Sequence, residues 1–345
     1  MSISSDGVQA NGSSFSPSIS ADGNIVAFRS YATNLVPGDT EGNVDIFVHN
    51  IAAGVTTRVS QRISGVGANR DSGEPAVSGD GRSVAFSSDA TDLVSVKVNV
   101  TGLCCDIFVH NVATGRNRLG DPMVDGRGAS DSFAPVLSYS GRYLGFFSWG
   151  CDIVEGIPCL DESSVYRFDL KTDAMKLVTR AYKGGIGFGC GSNPAISSDG
   201  SKIAFISDGA NLVPGDTNGA YDVFVRDLVT GVATRVSVTS KGAQTNGGLG
   251  RVAISGDGRF ITFESDAWNI VPDDTNLVTD VFVHDMRTGR TTRVSVSSSG
   301  GEANAYSANA TIDANGDAVA FESDADDLVP SDQNFTTDIF VHTPA

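Results

Sequence analysis

Basic residues are few in this chain: 24 Lys and Arg stand against 41 Asp and Glu, for a formal net charge of −17. Nucleic acids and anionic membranes are held by clustered Lys and Arg, so a surface of this sign repels both and favours cations or basic partners. No run of 18 apolar residues occurs, which excludes a membrane-spanning helix. The opening residues, MSISSDG, lack the basic start and apolar stretch of a signal peptide. The chain is therefore expected to be either intracellular or the mature form of an exported protein. No G-x-S-x-G elbow, P-loop or HExxH is present. Tryptophan (2 residues) and methionine (4) are scarce, and the composition leaves little for helices.

What is abundant is glycine, at 40 residues, together with Ser, Thr, Asn and Asp, a composition suited to many strands joined by tight turns. With 40% hydrophobic residues the chain can bury a real core. A recurring phrase sets the frame. SADGNIVAF, SGDGRSVAF, SYSGRYLGF, SSDGSKIAF, SGDGRFITF and DANGDAVAF end at Phe28, Phe86, Phe146, Phe205, Phe263 and Phe321, in steps of 58, 60, 59, 58 and 58 residues. Such self-similarity is the signature of a repeat architecture. Each repeat reads as four short strands; in the fourth these are NPAIS, KIAFIS, DVFVRD and ATRVSV. Ser-Asp-Gly turns join the first two strands of a repeat. Apolar runs such as Ile46-Phe47-Val48 suit middle strands covered on both faces.

Six four-stranded repeats predict an all-β, six-bladed β-propeller occupying residues 1–345 as a single domain. A straight solenoid would instead need polar capping repeats at its ends. The last repeat stops at DIFVHTPA without a fourth strand, while MSISSDGVQAN at the start aligns with VSVSSSGGEAN at 294–304. Residues 1–5 are therefore expected to complete blade six and close the ring, removing its open edges. The repeat SxDGxxIAFxS…DIFVxDxxTG resembles the WD40-like (PD40) repeats of the TolB-type propeller family, over all six units. That resemblance implies a six- or seven-bladed scaffold, often exported, used for protein contacts or as a companion to catalytic domains.

A second phrase follows the pattern Asp-x-Asn/Glu-x-x-x-Asp. It places Asp39, Glu41 and Asp45 in blade one, Asp216, Asn218 and Asp222 in blade four, Asp274, Asn276 and Asp280 in blade five, and Asp332, Asn334 and Asp338 in blade six. Side-chain oxygens at the first and third positions of a turn, with a third a few residues on, suit calcium, so these twelve residues are candidate ligands. The competing reading is a plain Asx turn in which Asp and Asn tie their own backbone. In a propeller the loop between strands two and three opens on the same face as the inter-blade loop. That second loop repeats Asn11, Asn69, Asn246 and Asn304.

Blades two and three break the acidic pattern, and there the cysteines appear. Cys104, Cys105, Cys151 and Cys159 lie in those two loops and Cys190 in the next inter-blade loop. Cys151 and Cys159 bracket one short loop and are the disulfide candidates, which would mean an oxidising, extracellular or periplasmic setting. The alternative is reduced, buried cysteines in an intracellular protein. His49, His110, His284 and His342 each end a third strand; repeat geometry keeps them apart, so they are expected to pack strand ends. Arg58, Arg118, Arg235 and Arg293 repeat on the outer strand and are expected to pair with neighbouring acids at the surface.

These readings predict a monomeric, non-catalytic binding propeller, its loops shaped by calcium, presenting one face to a protein or glycan. The alternative is a polysaccharide hydrolase or lyase using carboxylates near the central channel. Propellers host both, so the choice falls to the site.

Overall fold

The computed structural model describes residues 2–40, 42–95, 105–129, 131–150, 152–157, 162–330, 332–334 and 336–343. Its local logic begins at the Ser-x-Asp-Gly turn. Ser20 Oγ donates to Asp22 Oδ1 at 2.5 Å, and the same aspartate oxygen accepts the amide of Asn24 at 3.0 Å. Gly23 then takes φ 72°, a left-handed conformation that glycine adopts without strain. Ser78–Asp80, Ser197–Asp199 and Ser255–Asp257 repeat the turn. It folds the first strand of each repeat back on the second, and the apolar third strand adds beside it.

The first sheet runs β1 (Ser14–Ile19), β2 (Ile25–Ser30), β3 (Asp45–Asn50) and β4 (Val55–Arg58). The second is β5 (Ser72–Val77), β6 (Ser83–Ser88), β7 (Asp106–Asn111) and β8 (Arg116–Leu119). The third is β9 (Ser132–Leu137), β10 (Tyr143–Ser148), β11 (Ser164–Asp169) and β12 (Ala174–Leu177). The fourth is β13 (Gly191–Ile196), β14 (Lys202–Ser207), β15 (Asp222–Asp227) and β16 (Ala233–Arg235). The fifth is β17 (Leu249–Ile254), β18 (Phe260–Ser265), β19 (Asp280–Asp285) and β20 (Arg290–Arg293). The sixth is β21 (Ser307–Ile312), β22 (Val319–Ser323) and β23 (Asp338–His342).

The fold class is an all-β, six-bladed β-propeller, and all pairs within a blade are antiparallel. No helix occurs among the described residues, so none is long and apolar enough to cross a membrane. The chain divides into two compact units, Met1–Leu177 and Val178–Ala345, with three blades in each. In every blade an aromatic pair on the two middle strands stacks in register. Examples are Phe28 on Phe47 at 5.9 Å, Phe86 on Phe108 at 5.8 Å, and Phe263 on Phe282 at 5.7 Å. Offset stacking of this kind adds to simple area burial. The first strand of each blade carries a bulge, with Ser16, Glu74, Ala134, Asn193 and Asn309 at φ between 47° and 51°. A bulge inserts one unpaired residue and bends the strand.

Residues 1–5, expected to complete blade six, have their described contacts within the first unit. Among the described residues the sixth sheet has three strands. Ile3 instead bridges Gln9, and its carbonyl accepts the Thr56 hydroxyl at 2.5 Å. The same small bridge recurs at Gln61 with Gly67, Pro122 with Gly128, Arg180 with Ile186, Val238 with Gln244 and Val296 with Glu302. The alignment of the first residues with 294–304 is real, but Ser2–Ser4 match residues 295–297. Those residues lie beyond β20, in the turn that leaves a blade, and so they form that turn.

Candidate functional site: the acidic loops and their arginines

The repeated acidic loops enclose an arginine. In the first blade the last acid of the loop, Asp45, begins β3, and the outer strand β4 ends at Arg58. Arg58 Nη1 lies 3.1 Å from Asp39 Oδ1 and 3.2 Å from Asp45 Oδ2, with all three side chains buried. The other oxygen of Asp45 accepts the Ser60 hydroxyl at 2.5 Å. Gly67 makes room, since a Cβ there would stand 2.7 Å from Nη1. The fourth blade repeats the cage: Arg235 Nη1 meets Asp216 at 3.1 Å, Asp222 at 3.4 Å and Gln244 Oε1 at 2.9 Å. In the fifth blade Arg293 meets Asp274 at 3.4 Å, Asp280 at 3.2 Å and Glu302 at 2.9 Å. Ser237 and Ser295 donate to Asp222 and Asp280 as Ser60 does to Asp45.

The middle residue of the pattern is engaged as well. Asn218 and Asn276 donate Nδ2 to the last aspartate at 3.2 Å, and Asn334 donates to Asp338 at 2.8 Å. Their Oδ1 atoms accept amides of their own turn, from Ala220, Val278 and Thr336. Glu41 lies outside the described residues. Calcium takes six to eight oxygens at 2.3–2.6 Å. Here the carboxylate oxygens of blades one, four and five converge on a guanidinium, and the amide groups turn their nitrogens toward the carboxylate. This donor set fits an arginine and not a calcium ion. Among the described residues no group of three or more His, Cys, Asp or Glu is placed to hold a metal. Of the arginines, expected as surface partners, Arg58 is buried and Arg235 and Arg293 are largely covered, because each must reach across the hairpin to neutralise two carboxylates. Arg118 alone stays half-exposed, donating to Leu170 O and Asp173 at 2.7 Å.

Burial governs the electrostatics of these cages. It pushes Asp45 up to about 6, against the pull of the Ser60 hydrogen bond and the Arg58 charge. Burial likewise raises Asp216, Asp222, Asp274 and Asp280. A carboxyl raised in the folded state binds its proton there more readily than in the unfolded chain, so its contribution weakens as pH rises through that window. The wild type is expected to lose on the order of 2 kcal/mol relative to Asp45→Asn between pH 4 and pH 7. Denaturation midpoints of the two proteins across that range measure it, and a rise would contradict the assignment.

The inter-blade asparagines are latches. Asn11 Nδ2 donates to Thr33 Oγ1 at 3.0 Å while its Oδ1 accepts the Thr33 amide at 2.9 Å. Asn69 does the same with Thr91, and Asn304 does so with Asp326. Asn246 differs, its backbone N–H donating to Asn269 Oδ1 at 3.2 Å. The histidines pack strand ends as expected. His49, His110 and His284 place Nδ1 at 2.8–3.0 Å from Thr56, Asn117 and Thr291, and burial lowers the pKa of all three.

Blade two differs chemically. Asp106 begins β7, but Leu119 stands where the arginine would, and fully buried Asp121 takes the serine position. Burial and the neighbouring Asp106 raise Asp121 well above the usual carboxylate range. Cys105 and Cys190 are free thiols, and burial together with Asp89 pushes the Cys105 thiol far up. Cys151 and Cys159, the disulfide candidates, lie outside the described residues, as does Cys104. One large cleft, about 880 Å³, opens in the first unit, lined by Ile63, Leu93, Leu119, Met123 and Val124 with Arg62 and Arg118 at its rim. Nothing in the sequence pattern pointed to it, because it forms where the second blade abandons the repeat.

No family model matches the sequence, and no curated protein matches it. Among solved structures it is similar to TolB from Acinetobacter baumannii, with 17% identity over 83% of this chain and 55% of that one and a TM-score of 0.46. It is similar to a putative TolB from Agrobacterium tumefaciens, with 16% identity over 98% and 92% of the two chains and a TM-score of 0.49. A prolyl endopeptidase matches with 15% identity, 97% of this chain, 43% of that one and a TM-score of 0.56. The chain thus spans about half the length of the first of these and less than half of the third, at 55% and 43%. The endopeptidase likeness reaches across nearly the whole chain at 97%, and what it shows is a shared fold.

Proposed function

We propose that this chain is a non-catalytic binding propeller whose working surface is the cleft of the first unit, and that its partner is a protein. One observation carries the reading: the repeated carboxylates of blades one, four and five, and the inter-blade asparagines Asn11, Asn69 and Asn304, are consumed inside their own blades. The loop carboxylates hold arginines, the inter-blade asparagines hold the following loop, and the histidines hold the outer strand. A polysaccharide hydrolase or lyase would need two carboxyl groups about 5–9 Å apart across a bound sugar and free to exchange protons. A glycan held through calcium and asparagine would need those oxygens and amides unengaged. The cleft keeps apolar side chains open to a partner, with Ile63 77% and Val124 58% exposed beside Leu119 and Met123. Exposed apolar patches rimmed by charge suit protein contacts. An exported setting belongs to the same reading only through the expected Cys151–Cys159 disulfide, since Cys105 and Cys190 are free thiols.

A photo-crosslinking residue placed at Ile63 or Val124 in the producing cell tests the surface. Crosslinks to a discrete protein from both positions, and none from the equally exposed Val229 turn, are expected. Crosslinks spread equally over the three sites would remove the proposal, as would release of reducing ends from polysaccharide by the purified chain. The loops have their own test. With the cages already neutralised by arginine, excess calcium or a chelator is expected to move the melting temperature by less than about 1 °C, since only a ligand that binds the folded state stabilises it. A rise of several degrees with calcium would restore the metal to these loops.

A further inference from the structure

Two of the small bridged turns are fastened to the outer strand of the blade that follows them, each by one serine. Ser5 lies two residues after the bridging Ile3, and Ser240 two after the bridging Val238. Ser5 Oγ accepts the backbone N–H of Thr56 at 3.0 Å and donates to its carbonyl at 3.3 Å. Ser240 holds Thr291 in the same way, at 3.0 and 3.1 Å. One hydroxyl thus claims the main-chain pair that an outer strand turns away from its own sheet. A bare N–H and C=O at such an edge invite a further strand, which is why proteins tend to cover them.

The second blade lacks this clip. Ile63 stands two residues after the bridging Gln61, where the serine stands in the other two turns. Asn117 pairs with His110 as Thr56 pairs with His49 and Thr291 with His284, so its N–H and C=O face the outer side of β8. The Asn117 side chain still ties the turn down, donating Nδ2 to Gln61 O at 2.7 Å. Among the described residues, no side chain meets its main-chain pair. Asn117 and Ile63 both wall the cleft of about 880 Å³, so the unclipped pair lies at that wall. Charge there departs from the rest of the chain. The cleft carries Arg62, Arg116 and Arg118 against Asp92 and Asp173, in a chain of net charge −17. Arg62 pairs with Asp92 and Arg118 with Asp173, while among the described residues no carboxylate meets Arg116.

Resting on the reading of this cleft as the working surface, we infer that it takes an extended acidic segment of the partner protein, laid along the outer edge of β8. The Asn117 N–H and C=O pair with the main chain of the segment. Arg116 meets one of its carboxylates, and Ile63 and Val124 receive an apolar side chain between the acids. Main-chain bonds give a strand addition its affinity and side-chain contacts give it selectivity. A negative segment suits a wall with more arginines than acids, and the acidic surface elsewhere repels it.

The test uses the whole chain and a fluorescent peptide, VEVEVE, with VKVKVK as its reverse-charge counterpart. Fluorescence anisotropy should give a roughly micromolar dissociation constant for VEVEVE, and VKVKVK should bind at least about tenfold more weakly. Hydrogen exchange at Asn117 should slow when VEVEVE binds. Arg116→Glu should weaken binding at least about tenfold, and Arg290→Glu, the same change at the matching place in blade five, by less than about twofold. Ile63→Ser restores the clip, so it should weaken binding at least about tenfold and slow exchange at Asn117 before any peptide is added. Equal binding of the two peptides, no binding at about 1 mM, no loss in Arg116→Glu or Ile63→Ser, or protection elsewhere would each overturn the inference. So would a peptide-free dimer that Ile63→Ser returns to monomer in sedimentation, since the occupant would then be a second copy. Crosslinks from Ile63 and Val124 report on the cleft separately: if they persist through any of these failures, the surface stands and only the acidic segment is removed.

Discussion

Changing Arg58 to leucine is expected to cost about 3–5 kcal/mol, the loss typical of removing one partner from a buried ion pair. Asp39 and Asp45 would be left facing each other in the same water-poor pocket without the guanidinium between them. The chain itself contains the cure. In the third blade Ile157 stands where the first acid stands elsewhere, Ser164 where the second does and Leu177 where the arginine does. Ser164 and Leu177 are both buried. The triple variant Asp39→Ile, Asp45→Ser and Arg58→Leu should therefore recover most of the lost stability, since apolar replacement of a complete buried ionic group is often neutral. Chemical denaturation of the single and triple variants decides it. If the triple variant is as unstable as the single one, the cage does something beyond balancing charge.

The second large effect concerns the aromatic ladder. Phe282 is wholly buried and stacks on Phe263 at 5.7 Å, so Phe282→Ala should cost about 3–5 kcal/mol through lost burial and a residual cavity. Phe340 makes the matching stack on Phe321 at 5.9 Å, but it sits on β23, where among the described residues no outer strand covers it and the side chain is only half-buried. Phe340→Ala should cost roughly 1–2 kcal/mol, because less area returns to water. Matched costs would mean that the sixth blade is as fully covered as the fifth.

The blades were legible because their signals are local. A phenylalanine every 58 to 60 residues, a serine hydroxyl capping an aspartate, and a glycine at positive φ are all decided within a few residues of one another. In the fourth repeat the middle strands fall on KIAFIS and DVFVRD as the pattern predicts. The cages were not legible, because acid and base sit 13 residues apart on different strands, and an acidic loop read alone looks like a cation site. A trace of the answer was still present. Leu119 and Leu177 stand at the same offset from Asp106 and Ser164 in just those two blades where the upstream acid is missing. Loss of the base and loss of the acid go together, which a metal site would not require. The first-strand bulges had no such trace, since Ser16, Glu74, Ala134, Asn193 and Asn309 share no side-chain chemistry.

The asparagine latches have a consequence for how such a chain grows. Asn11 fastens to Thr33 and Asn69 to Thr91, each joining the stretch that enters a sheet to a bend some 22 residues later in that same sheet. Because the clasp and its catch travel together in a single module, copying one module brings a working fastener with it. A newly duplicated copy would need no compensating change in its neighbours to hold its entry segment down, and that is the kind of self-sufficiency from which a sixfold array can be assembled by repeated duplication.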